Sequence, residues 1–209
     1  MATNENVITT CINAFIDYEL QFLNALVEVY PEDTNLKASK LEFTMATQHA
    51  PENLREAKKE ELLQVWNQFM GPLAQACQQK NAEVVMKAQN FPPYIQKINI
   101  EEKWQEVDEE TREVIWQYLN ELQKYSQMYL LYKAVPSNMM QKIQTMAMGM
   151  AEQMKTGEMN ANDLNIEALS QRVTQEINES DIQDFAANMM GNMDSVGSLL
   201  GSMMQQPPQ

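Results

Sequence analysis

Apolar residues recur every third or fourth position along most of the chain, and that spacing predicts helices rather than strands. The first helix is expected from about Asn6 to Tyr30. Ile8, Ile12, Phe15, Phe22, Leu26 and Val29 form its stripe, with Cys11, Tyr18 and Ala25 beside it. A stripe that wide suits a helix facing a core. Pro31 ends it, because proline has no N–H to donate and its ring crowds the preceding turn. A second helix is predicted from about Thr34 to His49, drawing its apolar contacts from Leu36, Leu41, Phe43 and Met45 at a poor period. Pro51 opens a third at the favoured first-turn position. Its buried face is read as Leu54, Leu62, Val65, Trp66 and Phe69, and Gly71-Pro72 interrupts it.

Beyond the break, Leu73, Ala76 and Cys77 share one side of a short helix, and Asn81 is placed to cap a further turn or two through Val84, Val85 and Ala88. The paired prolines in Asn90-Phe91-Pro92-Pro93-Tyr94 argue against helix there. Phe91, Tyr94, Ile95 and Ile98 are too apolar for a solvated loop, so this stretch should be pinned to the helical body. Glu101 to Val107 reads as a short helix carrying Trp104. Asp108 then caps a long one, with Glu109 and Glu110 where the helix dipole favours negative charge. Ile115, Tyr118, Leu119, Leu122, Tyr125 and Tyr129 follow one face, Trp116 lies near it, and Pro136 ends the helix.

Composition changes after Pro136. The last 73 residues hold 12 of the 17 methionines, no Trp or Tyr, and a single phenylalanine, Phe185. Ser137 is read as the cap of a helix striped by Ile143, Met146, Ala147, Met150 and Met154 and ending near Gly157. Asn165 is read as the cap of another, with Ile166, Leu169, Val173 and Ile177 on one side. Ser180 and Gln183 have capping-box spacing ahead of Ile182, Phe185, Met189 and Met193. Three parts are therefore expected: an aromatic-rich helical core over 1–135, a Met-rich acidic helical appendage over 136–196, and a flexible tail over 197–209. The fold class is all-α, an irregular multi-helix bundle with that appendage at its C-terminal side.

Charge narrows the partners. Fifteen basic side chains against 29 acidic ones give a net charge of -14. Such a surface repels phosphate, which argues against direct nucleic-acid binding and against an anionic membrane leaflet. Solubility alone accounts for the charge, and a basic partner also fits it. No stretch approaches the roughly 18 consecutive apolar residues of a membrane-spanning helix. The opening MATNENVITT has no basic n-region or long apolar run, and Ala2 stands where myristoylation needs a glycine. Cys11 and Cys77 lie far apart in apolar patterns, which predicts buried free thiols and a reducing setting.

Little in the chain reads as catalytic. The sole histidine, His49, has no Cys, Asp or Glu at ligand spacing, so no metal site is expected. The six glycines include no phosphate-cradling loop, and no cofactor is expected. The dense run of Glu101, Glu102, Glu106, Asp108, Glu109, Glu110 and Glu113 sits around a helix start beside Lys103 and Arg112, where capping and ion pairing explain it. Asn162, Asp163 and Asn165 miss the central glycine and terminal glutamate of a calcium loop. Trp66, Trp104 and Trp116 are read as packing residues rather than a base-stacking platform. The methionines allow two readings. They fill a loose internal core, or they line an adaptable surface that takes an apolar helix. On the second reading the contact residues are Met146, Met150, Met154, Ile182, Phe185, Met189 and Met193.

One stretch also carries a family likeness. Asn81-Ala82-Glu83-Val84-Val85, Asn90-Phe91-Pro92-Pro93, Ile100-Glu101-Glu102-Lys103-Trp104 and the run from Asp108 through Thr111-Arg112-Glu113-Val114-Ile115-Trp116-Gln117-Tyr118-Leu119 resemble an uncharacterised helical protein family of large DNA viruses of algae and protists (nucleocytoplasmic large DNA viruses). The stretch with Phe15, Phe22, Leu26 and Pro31 is similar too, as is the Met-rich end. The family favours Leu-Pro-Gly where this chain has Phe91-Pro92-Pro93. The resemblance implies a viral origin and an all-helical fold. It implies no reaction and transfers no site residue. The expected function is a non-enzymatic interaction or scaffold protein in the host cytoplasm, the viral factory or the virion. The alternative is a structural virion component such as an internal or minor capsid protein. The expected partner is a protein with an apolar helix or a basic surface, and exposed apolar stripes also allow self-association into a homo-oligomer.

Overall fold

The computed structural model of the protein describes residues 4–156 and 179–191. Every regular element among them is helical. The α-helices are α1 (Asn4–Val29), α2 (Thr34–Thr47), α3 (Glu52–Met70), α4 (Ala74–Gln78), α5 (Ala82–Val85), α6 (Pro93–Gln96), α7 (Ile100–Glu106), α8 (Glu109–Ala134), α9 (Ser137–Thr156) and α10 (Glu179–Gly191). Single 3-10 turns occupy Gly71–Leu73 and Ala88–Asn90. The predicted helix at Asn165–Ile177, the helix end at Gly157 and the tail over 197–209 lie outside the described residues.

Two 26-residue helices, α1 and α8, form the central pair. The α8 start is the one read from sequence: the Asp108 carboxylate accepts the Thr111 N–H at 2.8 Å. Asp33 caps α2 in the same way through the Leu36 N–H, and Asn81 caps α5 through the Val84 N–H. Aromatic rings stitch α1 to α8. Phe22 meets Tyr118 at 5.4 Å between centroids, and Tyr18 meets Tyr125 at 5.5 Å and Tyr118 at 6.3 Å. Moving up α1 thus moves down α8, so the pair is antiparallel.

The helix α3 packs against α8 along a polar ladder. Glu60 meets Lys133 and the Tyr129 hydroxyl, the latter donating at 2.6 Å. One turn on, the Gln64 amide donates to the Tyr129 hydroxyl at 3.2 Å. Next, the Ser126 hydroxyl donates to the Asn67 carbonyl oxygen, and last the Gln123 amide donates to the Met70 backbone carbonyl. Each step toward the end of α3 is a matching step toward the start of α8.

The end of α3 explains the last rung. Pro72 has no N–H for the Gln68 carbonyl and its ring crowds that turn, so α3 cannot continue. In the 3-10 turn that follows, the Ala74 N–H bonds Gly71 rather than Met70. The Met70 carbonyl is left over, buried, and Gln123 takes it. The Gln123 side chain also accepts the Trp66 indole N–H at 3.4 Å and bonds the Cys77 thiol. Gly71 plays no special conformational part: its φ is -53°, and a Cβ there would meet nothing within 4 Å.

Three sequence expectations are revised. The α3 core face is Leu63, Trp66, Asn67 and Met70, while Leu54 is exposed and Leu62, Val65 and Phe69 are half-buried. On α2 only Leu36 and Phe43 of the four predicted apolar contacts are buried; Leu41 and Met45 are exposed, as is Val29 on α1. The paired prolines do not exclude helix. Pro92 is extended (φ -53°, ψ 150°) and Pro93 starts the single turn α6, the position where a missing N–H loses nothing. The pinning holds: Phe91, Ile95, Ile98, Ile100 and Trp104 are all in the core. A clasp adds to it, with Lys103 paired to Asp33 and the Tyr30 hydroxyl donating to the Lys103 carbonyl at 3.1 Å.

Gln123→Leu is expected to destabilise the protein. It leaves the Met70 carbonyl and the Trp66 indole N–H buried without partners, at about 1–3 kcal/mol each. Urea unfolding followed by tryptophan fluorescence should show a lower midpoint. An unchanged midpoint would mean that Gln123 does not hold the break.

Candidate interaction surface

The helix α9 leaves the end of α8 after a sharp corner. The Val135 N–H still donates to Leu131 at 3.2 Å, and Pro136, unable to donate, ends α8. The Pro136 carbonyl then accepts the Met140 N–H at 3.0 Å. The cap position is thus Pro136, and Ser137 is already the first helical residue. Met140 is buried at this corner beside Ala134.

One carboxylate fastens α10 to α9. Asp181 accepts the Asn138 amide at 2.6 Å and pairs with Lys142. Asn138 and Lys142 are one turn apart, so a single side chain grips two successive turns. Asp181 is buried, and a buried carboxylate persists only with such donors around it. The helix α10 also packs on α8. It is under way by Glu179, so Ser180 and Gln183 lie within the helix rather than forming its cap.

The sequence-predicted contact residues are distributed as follows. Ile143, Met146, Met150 and Met154 share one side of α9 at spacings of three to four residues. Met146 and Met150 are half-buried, and Ile143 and Met154 are exposed, Met154 at 39%. On α10, Ile182 is 54% exposed and Phe185 is half-buried. The Met189 side chain and the whole of Met193 lie outside the described residues. The fold therefore joins the two helices through Asp181 while leaving part of each apolar stripe open to solvent. The sequence carries no signal for this polar grip. A lone Asp–Lys pair 39 residues apart leaves no periodic trace.

A second surface feature lies between α1 and α8. It is a groove of about 760 Å³ whose lining includes Tyr18, Tyr118, Tyr125, Gln21, Gln117 and Lys124. The Lys124 ammonium sits 5.7 Å from the Tyr125 ring centre.

The other candidates resolve into local structural roles. His49 is exposed in the turn between α2 and α3. Within the acidic run, Glu101 accepts the Ala88 N–H at 3.1 Å, Glu102 accepts the Asn99 amide, Glu109 pairs with Arg112 at 3.5 Å and Glu113 pairs with Lys80 at 2.5 Å. Trp104 and Trp116 pack edge to face at 5.4 Å, with the Arg112 guanidinium over Trp104. Cys11 and Cys77 are buried free thiols, and burial pushes Cys77 up to about 11. Among the described residues no three His, Cys, Asp or Glu side chains are grouped to hold a metal ion, and no helix is long and apolar enough to cross a membrane.

Comparison with protein-family models, with curated proteins and with solved structures gave no match.

Asp181→Ala should free α10 from α9 while sparing the core. Limited proteolysis is expected to cut between residues 143 and 191 faster in the variant, with the thermal transition of the α1–α8 core little changed. Equal cleavage rates would mean that the Asp181 grip does not hold the two helices together.

Proposed function

We propose that this protein is a non-enzymatic interaction or scaffold protein of a large DNA virus, acting in the infected cell or packaged in the virion. The observation that carries the reading is the α9 stripe. Ile143, Met146, Met150 and Met154 line one side of a helix whose Asp181 clamp lies elsewhere on its surface, and the stripe stays partly open. Methionine is unbranched and polarizable, so such a surface adapts to an apolar helix laid against it. An excess of acidic over basic side chains favours a partner that also carries basic groups. The viral setting is supported by the resemblance of the central run from Asn81 to Leu119. The reading assigns no reaction: Glu101, Glu102, Asp108, Glu109 and Glu113 of the acidic run are engaged in hydrogen bonds, capping and ion pairs.

The test is affinity purification from infected cells with the full chain and with a Met146→Glu, Met150→Glu, Met154→Glu variant. Losing contacts at the centre of a helix-binding surface should reduce capture of the partner by about tenfold or more. The variant should retain its helical circular dichroism. Undiminished capture would sink the proposal. Quantitative mass spectrometry of purified particles separates the roles: high copy number points to a structural virion component, absence to a role inside the cell.

A further inference from the structure

Glu19 stands in the middle of α1, on its inward side, between Phe15–Ile16 and Phe22–Leu23. Its side chain is 0% exposed, and neither carboxyl oxygen has a hydrogen-bond partner. Two more buried polar atoms without partners lie on the elements that follow α1 in the packing. One is the Ser39 hydroxyl on α2, which packs on α1; the other is the Tyr94 hydroxyl on α6, which packs on α2. The Tyr94 ring leans on Phe43, one turn beyond Ser39, at 5.7 Å. Burial keeps the Tyr94 hydroxyl from ionising, and the Glu19 charge lies close enough to add to that.

An ionised carboxylate in such a place needs a cation or several donors. No cation is placed to serve it, since Lys59 of α3, which reaches α1, is bonded to Asn13 and Glu56, and the Ser39 and Tyr94 hydroxyls make no hydrogen bond to it. The fully buried residues of α2, α3 and α8 include one titratable side chain, Tyr129, which is engaged with Glu60, Gln64 and Lys133. At the α2 start, Asp33 and Lys103 are paired with each other. That leaves Tyr94, itself an acid.

We propose that Glu19 is carried as a neutral acid and works as a proton-operated latch for the segment from Phe91 to Trp104, whose apolar residues share the core with the Glu19 side of α1: the segment stays seated there while the carboxyl keeps its proton, and its loss loosens it. The moving part is this segment because Tyr94, which lies within reach of the Glu19 charge, belongs to a single helical turn in irregular chain. Glu19 itself sits on a helix stitched along its length to α8. Elements with few backbone hydrogen bonds open first.

The sign follows from the acid. Burial raises the Glu19 carboxyl from 4.5 to about 8. Once opened to water it returns to the ordinary value, so opening releases a proton between those limits. The closed state is fully favoured below about 4.5 and has lost that advantage above about 8. Within the window the opening constant should rise about tenfold per pH unit.

The experiment is amide hydrogen exchange on the full chain from about pH 5 to about pH 9, with the intrinsic pH dependence removed. It compares the natural sequence with Glu19→Gln and reads the amides of Ile95 and Ile98. The natural sequence should show the rise and then a plateau, and Glu19→Gln should be flat. The same slope in Glu19→Gln, or none in the natural chain, would overturn the latch. So would an equal slope at the Leu119 and Leu122 amides of α8, which would mean global unfolding. Should Glu19→Gln fail to fold, carboxyl carbon NMR of the natural chain decides instead. A Glu19 midpoint near 8 supports the latch, and one in the ordinary carboxylate range refutes it.

Discussion

The register of α3 on α8 is the constraint from which the other positions follow. Apolar side chains bury well against one another in many alignments, so a seam of leucines tolerates slippage by a turn. The α3–α8 seam is different because four successive rungs are polar: Glu60 with Lys133, Gln64 with Tyr129, Asn67 with Ser126, and the Met70 carbonyl with Gln123. Sliding either helix by one turn would bury several of these groups without partners, at about 1–3 kcal/mol each. The outermost rung, Glu60 with Lys133, is partly exposed and contributes little by itself. The two buried rungs set the alignment: a shift would strand the Met70 carbonyl and the Gln123 amide and add to the cost of the Asn67 Nδ2, which has no partner even in register.

From that register the rest of the molecule is placed. Fixing α3 fixes where Pro72 breaks it, and Gln123 then anchors both the broken end and Cys77 on α4. The opposite side of α8 is left for α1, whose tyrosine and phenylalanine rings interleave with those of α8. The end of α8 at Pro136 hands the chain to α9, and the Asp181 grip joins α10 to it.

What could be read from the sequence divides along the same line. Signals confined to one helix were legible. The Asp108 cap, the α8 stripe, the α1 stripe and the proline stops all report on residues within a few positions of each other. Pairings between helices were not. Asn67 occupies the α3 core face, so counting only apolar residues rotated that face toward Leu54 and Phe69, away from Leu63 and Met70. Its partner, Ser126, is 59 positions away. Tyr129 reads as one more aromatic on a stripe until Glu60 and Gln64 are set beside its hydroxyl. Glu19 did leave a trace, because it falls in register between Phe15 and Phe22 on the apolar side of α1. A charged residue on that side is the pattern that marks a buried acid. On the appendage, the methionine spacing located one face of a helix, but nothing local indicated that Asp181 would be buried.

The two carboxylates Glu60 and Glu19 pull stability in opposite directions. Hydrogen bonds from Lys133 and then Tyr129 hold Glu60 below the ordinary carboxylate range, so its contribution is present at neutral pH and is lost in strong acid. Burial without partners holds Glu19 far above that range, so its contribution is present in mild acid and drains away toward about pH 8. The first acts on the seam that sets the register, and the second acts where the segment carrying the short helices α6 and α7 meets the core. Acidification from neutral pH therefore tightens the α6–α7 side before it weakens the α3–α8 side. The molecule is held most firmly where both carboxyls are in their preferred states, on the acid side of neutrality and above the point at which Glu60 takes up its proton. A protein with 29 acidic side chains would ordinarily be expected to gain from acid through reduced self-repulsion over its whole surface. Here the gain has an address as well: one side chain in the middle of α1, where an apolar stripe is interrupted by an acid.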